Sequence, residues 1–242
     1  MPYYFYFDWY YLPVLAALLF SVWTNIRVNS TFKKYSQHRT IRGVTGADAA
    51  RAVLSAHGIY DVRIEHISGS LTDHYDPKAK VIRLSDSVYA ASTPAAVGVA
   101  AHEAGHAVQY AENYAPIKLR SAIVTATNIG SRLSVPLIII GLLLSGIRLF
   151  EGMQDLFITI ALIGVACFGL CVVFQLVTLP TEYNASRRAV KAIDAGNLLT
   201  DEERRGAKKV LSAAALTYVA ALSVALTQFV RLLMLVLGRR RD

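Results

Sequence analysis

The amino-acid sequence predicts a mostly helical α+β integral membrane protein, with three to four transmembrane helices and a small polar core that carries a β-hairpin. Three observations lead there. Of the 242 residues, 54% are hydrophobic and only 17% charged, and the apolar residues are gathered into long runs. Between the first two runs lies a polar stretch patterned as helix, strands, turn and helix. The last of those helices carries His102-Glu103-Ala104-Gly105-His106.

The apolar segments come first in the chain and in the argument. Trp9 to Ile26 is opened by aromatics, and the residues before it hold no Lys or Arg and no small-x-small cleavage site follows Trp23, so it reads as an uncleaved anchor. Ser121 to Ile147 is interrupted only by Arg132, which places the start of the second span near Leu133. Leu156 to Leu179 has 24 residues without a charge, enough to cross about 30 Å of hydrocarbon at about 1.5 Å per residue. Val210 to Leu237 is interrupted only by Arg231.

Basic residues orient these segments. Arg27 to Arg120 carries twelve Lys or Arg, Arg148 to Asp155 one, and Thr181 to Lys209 seven. The positive-inside rule then puts the first and third stretches in the cytoplasm and the Phe150-Glu151-Gly152 loop outside. The tail Arg239-Arg240-Arg241 resists export, so the last segment reads either as a fourth span or as a partly inserted helix packed on protein. The net charge of +8 fits cytoplasmic loops and anionic headgroups, not nucleic acid. Cys167 and Cys171, the only cysteines, lie in an apolar run and read as packing residues without a disulfide. No small-xxx-small face singles out a self-association surface.

Within the polar stretch, Thr45 to His57 reads as a helix capped by Thr45 and stopped by Gly58. Asp61 to Ile67 alternates as a strand. Ser70 to Tyr75 and Lys80 to Ser85 flank the turn Asp76-Pro77-Lys78, which predicts a hairpin. Thr93 and Pro94 then supply a cap and a first-turn proline for the helix that holds the motif.

On a helix, His102 and His106 lie on one face and can grip one zinc ion, with Glu103 beside the open position that water takes. Zinc lowers the pKa of such water to about 7, and Glu103 is the candidate base that passes its proton to the leaving amine. A catalytic zinc needs a third ligand. Glu182, where an apolar helix leaves the bilayer, is one candidate, since a carboxylate there calls for a partner; His74 is the other. His74, Tyr183, Arg187 and Arg188 are also candidate substrate or transition-state contacts, while Asn184 and Ser186 are candidates to orient the ligands. His38, His57 and His66 have no spacing that ties them to the motif.

The run Leu71 to Pro77, then Ile82 to Ser85, Val99 to Gln109, Phe174 to Ala189 and Ala213 to Ala221 resembles bacterial membrane zinc metallopeptidases of the YugP type, over nearly the whole chain. A more distant similarity is to HtpX-like membrane proteases. The resemblance implies a gluzincin-like zinc protease core, one Zn2+ per chain, and anchorage in the plasma membrane. In the HtpX-like enzymes the third ligand is a Glu on a later helix, which matches Glu182; where they carry an Asp four residues further, this chain has Ser186.

Together these readings divide the chain into a first transmembrane helix (9–26), a cytoplasmic zinc-protease core (27–120), a transmembrane hairpin (121–179, with spans at about 133–149 and 156–179), a cytoplasmic helix with the third ligand (180–209) and an apolar helix (210–238). The expected activity is a membrane-anchored zinc metalloendopeptidase acting on polypeptides, membrane proteins among them, at the cytoplasmic face. Substrate is expected extended along an edge strand of the hairpin region. Two rivals are an intramembrane zinc protease and a non-catalytic zinc-binding scaffold. The polar flanks Ser92, Thr93, Gln109 and Glu112 argue against the first, and the presence of Glu103 beside a full ligand set against the second.

Overall fold

The structure is a computed structural model that describes residues 9–150 and 152–239. The element order is α1 (Tyr11–Tyr35), α2 (Gly46–Ala56), β1 (Arg63–Ile67), β2 (His74–Asp76), β3 (Val81–Ser85), α3 (Pro94–Ala111), α4 (Ala115–Ser145), a 3₁₀ turn (Arg148–Phe150), α5 (Gln154–Ala195) and α6 (Asp201–Arg239). Two compact units emerge: one takes the described residues of Met1–Val22, Arg120–Leu176 and Val219–Asp242, the other Trp23–Leu119 and Val177–Tyr218. The expected loop residue Glu151, the tail residues Arg240 and Arg241, and the leader before Trp9 lie outside the described residues.

α1, α4, α5 and α6 are each long and apolar enough to cross a membrane. In the first unit, α4 and α5 meet through small residues. A Cβ added at Gly141 would stand 2.5 Å from the Phe157 carbonyl oxygen, and one at Gly164 would stand 2.8 Å from that of Ser134. Close approach of this kind maximises dispersion contact between the two backbones. Ile138, Ile158, Ala161, Val165, Leu232 and Val236 form the buried cluster there. Cys167 and Cys171 are free thiols, and the Cys167 backbone carbonyl faces Gly130.

The helix boundaries depart from the sequence expectation. α4 runs from Ala115 to Ser145 with Arg132 exposed on its surface, and the expected span start near Leu133 lies within it. The segment 180–209 is not one helix. α5 continues through Pro180 to Ala195, then Asn197 turns left-handed at φ 50 and the Leu198 amide donates back to the Ile193 carbonyl. α6 starts four residues later with a capping box: Glu203 accepts from the Thr200 amide at 2.8 Å, and its amide donates to Thr200 Oγ1 at 3.4 Å. Glu203 also accepts from the Ile41 amide at 2.7 Å, tying the loop after α1 to the start of α6.

In the second unit, α2 forms as its caps dictate, with a capping box at Thr45 and Asp48 and Gly58 at φ 67 beyond its end. The sheet order is β1-β3-β2. β2 and β3 form the expected antiparallel hairpin, with His74 opposite Arg83. The Asp76 carboxylate closes its turn by accepting from the Lys78 and Ala79 amides. β1 pairs parallel to β3, a crossover that local pattern does not specify. β2 is shorter than expected because Leu71 turns to φ 57 and the Asp73 carboxylate accepts from the Ser85 amide at 2.7 Å, replacing ladder pairing there. α3 packs at the centre, its Val97, Ala100, Ala101, Ala104 and Val108 buried with Ile82, Leu84, Ala189, Ile193 and Leu211.

Candidate metal centre

Local rules place two of the candidate ligands. Thr93 caps α3 by accepting from the Ala96 amide, and Pro94 opens the first turn. The alanine-rich sequence that follows carries the helix through His102 and His106, whose rings meet edge to face at 4.7 Å between centroids. The third comes from α5. What lets the two helices close on each other is Gly105, where a Cβ would stand 2.8 Å from the Ala185 carbonyl oxygen. With no side chain between them, Glu182 reaches the two imidazoles.

The convergence is tight. Glu182 Oε2 lies 3.2 Å from His102 Nε2 and 3.5 Å from His106 Nε2, and one ligand atom from each of the three residues falls within 4.8 Å of the others. Donors bonded to zinc at about 2.0–2.2 Å in a tetrahedron stand roughly 3.4 Å apart, so the residues present fit the ion. Their chemistry fits as well: two imidazoles and a carboxylate leave one tetrahedral position open. Both histidines are held from behind. His102 Nδ1 lies 3.1 Å from Ser186 Oγ and His106 Nδ1 lies 3.0 Å from Gln109 Oε1. Ser186, one of the residues expected to orient a ligand, thus sits behind His102.

Charge follows from burial. Glu182 is only 2% exposed. Burial would raise its pKa, but the hydrogen bonds and charges of His102 and His106 outweigh that and hold the carboxyl well below the usual range. For His106, burial would lower the pKa, and the Glu182 carboxylate more than reverses it. A buried carboxylate demands positive charge beside it, which an imidazolium proton or a divalent cation supplies. Burial pushes the Glu103 carboxyl up, against the opposing pull of His102 and His106.

Beside these residues is a cleft of about 150 Å³, lined by Asp73, His102, Glu103, Glu182, Ser186 and Tyr218 with aliphatic walls from Leu71, Val99, Val210 and Leu211. Its composition separates the remaining candidates. His74, on β2, bonds to the Thr72 carbonyl at 2.9 Å and contacts Arg83, and it is not among the lining residues. Among the described residues, the side chains gathered closely enough to hold one metal ion are His102, His106 and Glu182. Tyr183 and Arg187 are exposed and line a neighbouring groove with Lys191 and Lys208 that shares Ser186 with the cleft, because one step along a helix rotates a side chain about 100° from its neighbour. Arg188 pairs with Glu112 at 2.7 Å and donates to Asn184 Oδ1 at 2.7 Å. Tyr218 and Asp73 are cleft residues that the sequence reading did not single out. Tyr218 lies in the Ala213–Ala221 stretch of the family resemblance, and that was the available signal.

Comparison with known proteins agrees with this chemistry. The family model described as "Putative neutral zinc metallopeptidase" matches residues 10–237. The chain is 42% identical over 228 residues to "Putative membrane protease YugP" of Bacillus subtilis (strain 168), covering 94% of this chain and 96% of that protein. No solved structure matches, so the gluzincin comparison rests on sequence alone. Matched by the family model over almost its whole length, with two histidines and a glutamate gathered at one point, the chain belongs to the family described as "Putative neutral zinc metallopeptidase".

Proposed function

We propose that this protein is a membrane-anchored zinc metalloendopeptidase that cleaves polypeptides at the cytoplasmic face of the plasma membrane, with one zinc per chain held by His102, His106 and Glu182. The observation that carries the reading is the meeting of both Nε2 atoms with one buried Glu182 oxygen at 3.2 and 3.5 Å, beside a cleft that also holds Glu103. Bound there, zinc would act as a Lewis acid toward water and the scissile carbonyl.

The chain's own residues do the rest. Glu103, its pKa raised by burial, takes a proton from the attacking water and returns it to the leaving amine. Tyr218 brings a phenol to the same cleft and donates a hydrogen bond to the developing oxyanion. Substrate lies extended along the outer edge of β2, one of the two edge strands of the β1-β3-β2 sheet. The lead-in residues Leu71 and Asp73 line the cleft, which supports that register. The cytoplasmic assignment is supported by the basic residues of 27–120 and 181–209, and the membrane anchorage by the four apolar helices.

The test is Glu103→Gln in the purified full-length chain. Zinc content should stay at the wild-type level while peptide hydrolysis falls about 10²–10⁴-fold. Hydrolysis at the wild-type rate would remove Glu103 from the mechanism. An unchanged cellular phenotype in that variant would favour a scaffold, and cuts mapped deep inside a substrate's span would favour an intramembrane protease.

A further inference from the structure

Gln109 is a buried polar side chain that the proposed chemistry does not use. It is fully buried on α3, three residues past His106, and it makes three hydrogen bonds, one to His106 and two to residues beside Glu182. Its Nε2 amide donates to the Thr181 carbonyl at 2.8 Å and to Asn184 Oδ1 at 2.9 Å. Its Oε1 faces His106 Nδ1 at 3.0 Å. Thr181 and Asn184 flank Glu182 on α5, so one amide grips both an α3 ligand and the turn that carries the α5 ligand.

The orientation of that amide follows from partners that have a single polarity. A backbone carbonyl only accepts, so the Gln109 end that meets Thr181 is the NH₂ group. Asn184 shows its oxygen to Gln109 because the same oxygen accepts from Arg188 Nε at 2.7 Å, and an arginine nitrogen only donates. Each anchor alone turns Gln109 Oε1 toward His106. An amide oxygen accepts, so His106 Nδ1 carries a hydrogen, and Nε2, the atom aimed at Glu182, is the ring nitrogen left to hold a metal ion in place of a proton.

We infer that Gln109 is a positioning residue that sets the His106 tautomer required for metal ligation through Nε2 and, through Thr181 and Asn184, holds the turn bearing Glu182 in register with it. The inference rests on the metal site of the proposed function but not on proteolysis. The Arg188–Glu112 pair at 2.7 Å completes the chain by fixing Arg188, so the order of hydrogen bonds runs from the surface to the ligand. Orienting partners of this kind change metal affinity about 10–100-fold.

The experiment uses the full-length chain. In the zinc-loaded wild type, selectively ¹⁵N-labelled histidine should show His106 protonated at Nδ1 with Nε2 unprotonated; a ring protonated at Nε2 and bare at Nδ1 overturns the inference without any variant. Gln109→Met keeps the buried volume but removes both donors and the acceptor. Zinc affinity, read by chelator competition, should fall about 10–100-fold, the Nδ1–H signal should be lost, and the visible spectrum of the Co²⁺-loaded protein should change. Wild-type zinc affinity in Gln109→Met, with the helical circular dichroism retained, overturns it too, because a residue that only packs would move thermal stability and leave the ligand unaffected. Should the wild type bind zinc tightly yet hydrolyse no peptide, the proteolytic reading fails while this inference still stands on the tautomer and affinity data.

Discussion

Gly105 is the position where one methyl group separates fold from metal site. Replacing it with Ala puts a Cβ 2.8 Å from the Ala185 carbonyl oxygen, about 0.6 Å short of the 3.4 Å at which ordinary contact begins. The neighbour is backbone and cannot rotate aside, so α3 and α5 must part. Overpacking of this kind costs about 1–3 kcal/mol. Alanine returns about 1 kcal/mol of helix propensity, leaving a net loss in fold stability of about 0–2 kcal/mol. The ligand set is less forgiving, because metal–ligand distances tolerate only about 0.2 Å. A displacement of several tenths of an ångström between Glu182 and the two imidazoles, now 3.2 and 3.5 Å apart from it, should weaken zinc binding about 10–100-fold, or roughly 1.4–2.8 kcal/mol. The assay is zinc affinity by chelator competition, with thermal unfolding of the metal-free protein alongside. Gly105→Ala with wild-type zinc affinity and wild-type stability would show that α3–α5 separation does not limit the site, and the account of this glycine would be wrong.

Other outcomes follow from the same geometry. Tyr218→Phe should lower kcat about 10²–10³-fold with zinc affinity and KM near wild type; equal turnover would assign the oxyanion donor elsewhere. Acid should loosen the start of α6. For Glu203 burial would raise the carboxyl, but the Thr200 and Ile41 amides outweigh it and hold its pKa below the ordinary value. A depressed carboxyl contributes stability above the unfolded-state pKa that is lost as pH falls through the folded one. Hydrogen exchange at the Ile41 and Thr200 amides should therefore accelerate below the ordinary carboxylate range in the wild type, and should be fast already at neutral pH in Glu203→Ala; protection that persists in that variant would refute the latch.

How much of this was legible in the chain depends on the distance over which each feature is decided. α2 and α3 carry their caps beside them, at Thr45 and at Thr93-Pro94, so their starts could be read directly. The β2–β3 hairpin announces itself through Asp76-Pro77. The parallel pairing of β1 with β3 is carried by no local signal, and the end of α5 is governed by Asn197 where the apolar run had already stopped at Leu179. The shared face of His102 and His106 needs only the helical period. Glu182 was readable as a carboxylate out of place at the end of an apolar helix and was preferred to His74 from the chain itself; the fold adds its approach to the two imidazoles at 3.2 and 3.5 Å.

The sequence by itself determined the chemistry on offer: two imidazoles one helical turn apart, a glutamate between them, and apolar segments long enough for a bilayer. These are short-range properties, fixed by residue type and a period of 3.6. Tertiary structure alone decided which distant groups join them. It brought Glu182 across more than seventy positions to the histidines, turned Arg187 and Tyr183 away, put Tyr218 and Asp73 into the cleft, and set Gln109 between the two ligand-bearing helices. The reason is physical: contacts across α3, α5 and α6 depend on helix separation and rotation, which packing at residues such as Gly105 controls and which no single stretch of chain encodes.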